Sequence, residues 1–152
     1  MKIDIPGLTR LDLSHVFIDY NGTIAHAGQL IPQVIEKLID LSKLYTIHIL
    51  SADTYGTVRQ LLEPYPVDVI LSYTAIDKSK IIQSFGSENC ITIGNGSIDH
   101  KMLKEAALGI AVIEEEGCST KAILNADIVV NSIHDALSIL EHPKQLIATL
   151  KE

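Results

Sequence analysis

The chain has 152 residues, 47% of them hydrophobic and only 5% aromatic, with a formal charge of −7. That length supports one aliphatic core and leaves no room for a large second domain. The acidic balance excludes general attraction for nucleic-acid backbones or anionic lipid, and leaves room only for a local cationic pocket.

In chain order, residues 1–14 alternate loosely (Ile3, Ile5, Leu11, Leu13) around Pro6-Gly7, which predicts a short β lead-in of two short strands or a hairpin covering a sheet edge. The run Val16-Phe17-Ile18-Asp19 reads as a strand buried on both faces that delivers a carboxylate to its tip, and Asn21-Gly22 then turns the chain. After a short segment containing Gly28, Pro32 opens a helix with apolar positions at Val34, Ile35, Leu38, Ile39 and Leu41. Residues 46–50 form the next strand, stopping at Ser51-Ala52-Asp53, and Val58, Leu61 and Leu62 pattern a short helix ended by Pro64. A strand over 67–71 precedes a helix that starts at Asp77 or Ser79 and closes at Gly86. Cys90 to Ile93 is a fourth strand, broken by Gly94-Asn95-Gly96, and a helix through Met102, Leu103 and Ala106 follows. Strands over 110–113 and 128–130 flank a small helix over 119–124, and helices over 132–140 and 143–150 end the chain.

This alternation predicts one α/β domain over residues 1–152, a doubly wound, mainly parallel Rossmann-like sheet with no sizeable cap. In such sheets ligands bind outside the carboxyl ends of the strands. Asp19, Ser51 and the loop from Gly94 to Asp99 all follow strands, so they gather at that edge, with a lysine arriving from a helix start.

Four stretches in order then resemble a known family. D-Y-N-G-T at Asp19 is similar to the D-x-D-G-T of the haloacid dehalogenase-like (HAD) hydrolase superfamily and the D-K-T-G-T of P-type ATPases. Ser51 in I-L-S-A-D resembles the second motif and Lys78 the third; Lys80 is the alternative lysine. G-N-G-S-I-D-H-K-M-L resembles the fourth, G-D-G-x-N-D-x-x-M-L. I-G-N-G and A-A-L-G-I-A-V place the resemblance nearest the soluble, P-type ATPase-like branch.

The resemblance implies a phosphatase-like hydrolase with Mg²⁺ as cofactor and a phosphorylated substrate. Asp19 would form an aspartyl-phosphate. Asn21, Thr23, Ser51 and Lys78 would complete the catalytic set, and Gly22, Thr23, Ser51, Ala52 and Lys78 would hold the phosphoryl group. The metal would lie on Asp19, the backbone carbonyl of Asn21, and Asp99 or Asn95. Two departures matter. Asn21 stands where phosphatases carry the acid that shuttles a proton, so turnover is expected to be slow. Asn95 removes one acid from the metal site and weakens Mg²⁺ binding. A phosphate- or nucleotide-sensing module on the same fold is the alternative, and retention of Asp19 and Lys78 favours the enzyme. ATP hydrolysis lacks support, because no nucleotide-binding insertion fits between Thr23 and Lys78.

A capless site implies a protein or other large substrate, or a homo-oligomer whose partner chain closes the pocket. His26 and Asp53 each lie just after a motif, and spacing does not assign either as a proton donor. Cys90 and Cys118 read as small core fillers, His48 as facing a neighbouring element, and Glu114-Glu115-Glu116 as a solvated loop, with a partner-binding or metal role as the alternative. Without a basic-then-apolar leader or an apolar run long enough to span a bilayer, the expectation is a soluble cytoplasmic protein.

Overall fold

The computed structural model describes residues 1–152. Its centre is a six-stranded, wholly parallel sheet formed by β3 (His15–Asp19), β6 (Thr46–Ser51), β7 (Asp68–Leu71), β8 (Cys90–Gly94), β9 (Leu108–Val112) and β10 (Ile128–Val130), in the order β10-β9-β8-β3-β6-β7. The chain steps outward from β3 to β6 and β7, then returns to the other side of β3 for β8, β9 and β10. That reversal opens a crevice at the carboxyl ends of the central strands.

The aliphatic runs form central strands because both their faces are covered. Val16, Ile18, Ile47, Ile49, Ile91 and Ile93 belong to a large cluster closed by α1 (Val34–Leu41), α2 (Thr57–Leu62), α6 (Ile133–Glu141) and α7 (Pro143–Leu150). The alternate residues Phe17, Leu50 and Cys90 face the other way, onto Ile82 of α3 (Ala75–Ser84) and Met102 of α4 (His100–Glu105). Asp19 follows Phe17 by two residues in the same strand, so its side chain falls on the α3 side. His48 on this face stacks on Phe17 at a centroid distance of 4.5 Å, and burial holds its imidazole below the ordinary range.

The lead-in is not a strand of this sheet. β1 (Lys2–Ile3) and β2 (Leu11–Asp12) pair only with each other, antiparallel, and Ile3, Ile5 and Leu13 plug into the large cluster. The segment after Thr23 forms a hairpin the sequence did not announce, β4 (Ala25–His26) with β5 (Gln29–Leu30), turned by Ala27 and Gly28 at φ 48° and 79°. Both turn residues lie in the left-handed region, as a two-residue primed turn requires, and Ala27 occupies it without being glycine. This hairpin is the sole excursion between β3 and α1, and no large cap is present. Cys90 is fully buried, which pushes its thiol up to about 11, whereas Cys118 lies half-buried outside the core clusters.

The helix carrying Lys78 starts at Ala75, earlier than the predicted Asp77 or Ser79. Thr74 and Asp77 form a capping box: the Thr74 hydroxyl accepts the Asp77 N–H at 3.0 Å, and the Asp77 carboxylate accepts the Thr74 N–H at 3.0 Å. Lys78 therefore sits in the first turn, at the end of α3 nearest the carboxyl edge of the sheet.

β9 crosses close under α4. A Cβ at Gly109 would lie inside van der Waals contact with the Leu103 backbone carbonyl, and backbone atoms cannot rotate away. Gly109→Ala is expected to destabilise the fold by about 2–3 kcal/mol, read as a lowered urea midpoint with an unchanged slope.

Candidate active site

Strand register brings the site together. Asp19 pairs with Leu50, which puts it beside Ser51, and Ile18 pairs with Ile93, which puts it level with Gly94. Beyond Asp19 the backbone folds into a tight turn, with the Ile24 and Ala25 N–H groups both donating to the Tyr20 carbonyl, at 3.1 and 3.2 Å. Gly22 occupies this turn at φ 77°. Space as well as conformation demands glycine there: a Cβ would lie 2.6 Å from Asn95 Nδ2 and 2.7 Å from Glu116 Oε2.

Lys78 is the electrostatic centre. Its Nζ donates to Asp19 Oδ1 and to Asp99 Oδ1, each at 2.6 Å, and the side chain is all but fully buried. Asp99 Oδ2 in turn accepts the N–H groups of Asn95 and Gly96 at 3.1 and 2.9 Å. Both oxygens of Asp99 are thus engaged, with no exposed surface. One ammonium facing two buried carboxylates leaves a net negative charge. Burial, and then the charge of Asp99, push Asp19 up to about 7, against the pull of Lys78. Burial opposes the charge on Lys78 as well, but the two carboxylates outweigh it and hold the ammonium above its ordinary range.

A cavity of about 300 Å³ opens over Asp19, lined also by Asn21, Ser51, Ala52, Lys78 and Asn95. Six residues singled out in the sequence therefore meet at one place. The Ser51 hydroxyl accepts the Asp53 N–H at 3.1 Å and keeps its own proton free to donate, and the Ala52 N–H has no partner within the chain. Lys80 is exposed and takes no part. Gly22 and Thr23, expected to bind phosphate, do not line the cavity. The Gly22 N–H donates to the Ala25 carbonyl at 2.8 Å, and the buried Thr23 hydroxyl donates to Asn95 Oδ1 at 3.3 Å. They shape the floor beneath Asn95.

Asp53 caps α2 through the Val58 and Arg59 N–H groups; desolvation opposes its charge, but these bonds outweigh it and hold the carboxyl below the ordinary range. It is an ionised cap, unsuited to donate a proton. His26 pairs with Glu114, Nε2 to Oε2 at 3.2 Å, and lies outside the cavity. The glutamate run is not uniformly solvated: Glu114 Oε1 also accepts the Ile133 N–H at the start of α6, while Glu115 is exposed.

Three lining residues were not named as site candidates from the sequence: Ser72, the exposed Tyr73 beside it, and Glu116. Ser72 follows β7, is 3% exposed, and its hydroxyl has no hydrogen-bond partner. Its position after a strand end, beside Ser51, was a usable signal. Glu116 reaches the cavity from the loop after β9, and nothing in a run of three acids distinguishes it.

The raised Asp19 has a thermodynamic consequence. Its folded value of about 7 exceeds the ordinary 3.8, so between these pH values the folded chain binds more protons than the unfolded one. Stability then falls as pH rises through this window. Asp19→Asn removes the effect, so in metal-free buffer the variant is expected to be more stable than wild type by on the order of 1–2 kcal/mol at pH 8, with the gap closing toward pH 4. Urea unfolding at a series of pH values checks this.

No family model matches the chain. Uncharacterized protein MJ0073 of Methanocaldococcus jannaschii is 46% identical over 81 residues, which are 51% of this chain and 87% of that protein. Among solved structures, a putative HAD superfamily (subfamily III A) hydrolase from Legionella pneumophila superposes with a TM-score of 0.72 at 13% identity, over 90% of this chain and 87% of that one. The 3-deoxy-D-manno-octulosonate 8-phosphate phosphatase of Moraxella catarrhalis, solved with magnesium ion, phosphate ion and KDO, gives 0.65 at 16% identity, over 92% and 94%. A zinc-transporting PIB-type ATPase gives 0.66 at 20% identity, over 80% of this chain and 20% of that one. The chain therefore has the fold of the HAD hydrolases, shared with the P-type ATPases, and belongs to the same family as the Methanocaldococcus protein.

Proposed function

We propose that the protein is a Mg²⁺-dependent phosphohydrolase that works through an aspartyl-phosphate on Asp19. The observation that carries this reading is the Lys78 ammonium, 2.6 Å from Asp19 Oδ1 at a cavity lined by uncommitted hydroxyl and N–H donors. A buried cation beside a buried carboxylate at a strand end, under donors suited to anionic oxygens, is the arrangement that phosphoryl transfer needs. The Moraxella phosphatase, solved with magnesium and phosphate ions on a similar fold, supports this reading.

Lys78 occupies Oδ1 of Asp19, so the other oxygen is the nucleophile. It attacks phosphorus, the bond from phosphorus to the leaving oxygen breaks, and an acyl phosphate forms on Asp19. Ser51, the Ala52 N–H and Lys78 hold the phosphoryl oxygens through both steps. Water then attacks phosphorus, releasing inorganic phosphate and restoring the carboxylate. The donors fit a hard divalent cation: a carboxylate oxygen of Asp19, the carbonyl of Asn21 and Oδ1 of Asn95 lie at one cavity, and Mg²⁺ prefers oxygen and retains waters. When bound, the ion neutralises charge between the carboxylate and the phosphoryl group.

Asn21 carries no exchangeable acid, so it neither protonates the leaving group nor activates water. The phosphoenzyme is therefore long-lived, and good leaving groups react best. The cavity is open to solvent, and a large substrate or the partner chain of a homo-oligomer serves to cover it.

The test is phosphate release from p-nitrophenyl phosphate and a panel of phosphomonoesters, with and without Mg²⁺. Expected are Mg²⁺-dependent turnover, its loss in Asp19→Ala, and a roughly 10- to 100-fold rise in kcat in Asn21→Asp. Turnover that survives in Asp19→Ala or ignores Mg²⁺ overturns the reading.

A further inference from the structure

Asn95 and Glu116 converge on one point. The hypothetical Cβ of Gly22 would touch Asn95 Nδ2 at 2.6 Å, Glu116 Oε2 at 2.7 Å and Asn95 Oδ1 at 3.0 Å, so the two side chains face each other across a cradle kept open by the absence of a side chain at Gly22. Both line the cavity over Asp19. Asn95 is fixed in that cradle, its Nδ2 donating to the Gly117 carbonyl at 3.1 Å and its Oδ1 accepting from Thr23. The Glu116 carboxylate is half-exposed, and His26 Nδ1 lies 4.0 Å from its Oε1.

Charge bookkeeping shows what the cradle lacks. Asp99 is the other acid at the site, and both of its oxygens are engaged by Lys78 and two backbone N–H groups. Asp19 shares one of its oxygens with Lys78. Asn95 is neutral. A divalent cation held by Asp19, the Asn21 carbonyl and Asn95 alone would meet a single ionised ligand, and the one other carboxylate lining the cavity is Glu116. Beside these acids the cavity is also lined by Ser72, whose buried hydroxyl has no hydrogen-bond partner.

The geometry points to Glu116 as a ligand of the divalent cation, a carboxylate supplied by the loop after β9 beside the neutral Asn95. The inference rests on the metal-dependent reading of the site. It gives the loop that follows β9 a part in metal capture, and it assigns Asp99 to holding Lys78.

Isothermal titration of Mg²⁺ into the metal-free full-length protein tests it without recourse to activity. Glu116→Gln is expected to raise Kd at least about tenfold, and Glu115→Gln, at the exposed neighbour, to leave it within about twofold. The double variant Asn95→Asp, Glu116→Gln returns a carboxylate to the same cradle and is expected to recover most of the loss. Metal-free thermal melts should superpose for wild type and Glu116→Gln, since no hydrogen bond in the fold depends on that side chain. A Glu116→Gln protein that binds Mg²⁺ as tightly as wild type overturns the assignment while leaving the metal-dependent reading intact. An equal loss in Glu115→Gln overturns it too, by reducing the effect to general charge. Failure of wild type to bind Mg²⁺ sinks the reading itself and this inference with it.

Discussion

One ammonium shared by two buried carboxylates sets the terms for the rest of the molecule. Lys78 sits 2.6 Å from both Asp19 and Asp99, out of reach of bulk water. An ion cluster of this kind contributes little net stability, because desolvation offsets most of the Coulombic gain. It persists because the surrounding fold holds every member in place. Asp19 is the last residue of a central strand, Asp99 is clamped by two N–H groups of its own loop, and Lys78 is carried in by a helix whose start is fixed by a capping box. The fold thus maintains a strained charge balance at the edge where the sheet reverses direction. An anionic or cationic ligand can improve that balance, which is the physical basis of a binding site at this place.

Close backbone packing enforces the geometry. A Cβ at Gly94 would lie 2.6 Å from the carboxylate of Asp99, so the loop after β8 presses its acid directly against the strand end. Gly22 plays the same part on the β3 side, leaving space where Asn95 and Glu116 meet. These contacts bring residues distant in sequence to one cavity with few degrees of freedom, as a preorganised site requires.

Much of this was legible in the residues themselves. Val16 to Ile18, Ile47 to Leu50 and Ile91 to Ile93 are mainly apolar, interrupted only by His48 and Thr92, and the chain after each turns polar at Asp19, Ser51 and Asn95; burial on both faces and a polar carboxyl edge follow from that pattern. Asp19, Ser51, Lys78 and Asn95 could be placed together because the parallel order puts consecutive strand ends on one side. The start of α3 was misplaced because Asp77 was read as the residue that opens the helix, whereas it is a first-turn acid whose carboxylate closes a capping box with Thr74, a spacing visible as Thr-x-x-Asp. The hairpin at Ala25 to Leu30 was hidden because Ala27 is not a residue that advertises a positive φ. Ser72 could have been inferred from its place after a strand end beside Ser51, whereas Glu116 lies on a loop whose path had no local signal. The β lead-in alternates as an edge strand should, yet its apolar residues plug the bottom of the core instead of pairing with the sheet.

The two asparagines acquire a common meaning in this electrostatic setting. Asp19 is already pushed up to about 7 by burial and by Asp99, with a single lysine in attendance. Acids at positions 21 and 95 would add two further negative charges to the same low-dielectric corner, and each would raise the others' pKa or demand a bound cation merely to keep the site intact. Asparagine keeps the shape and the oxygen of the acid without its charge, so the metal-free protein is relieved of that repulsion. On the proposed reading the cost falls on function: Asn21 would supply no proton shuttle, and Asn95 would bring no formal charge toward a metal. A carboxylate arriving from Glu116, half in solvent and free to stay hydrated until a cation binds, resolves part of that conflict, because its charge weighs on the empty site far less than a buried one would. The proposed phosphohydrolase would therefore combine slow chemistry with a site whose buried charge stays low before a cation binds.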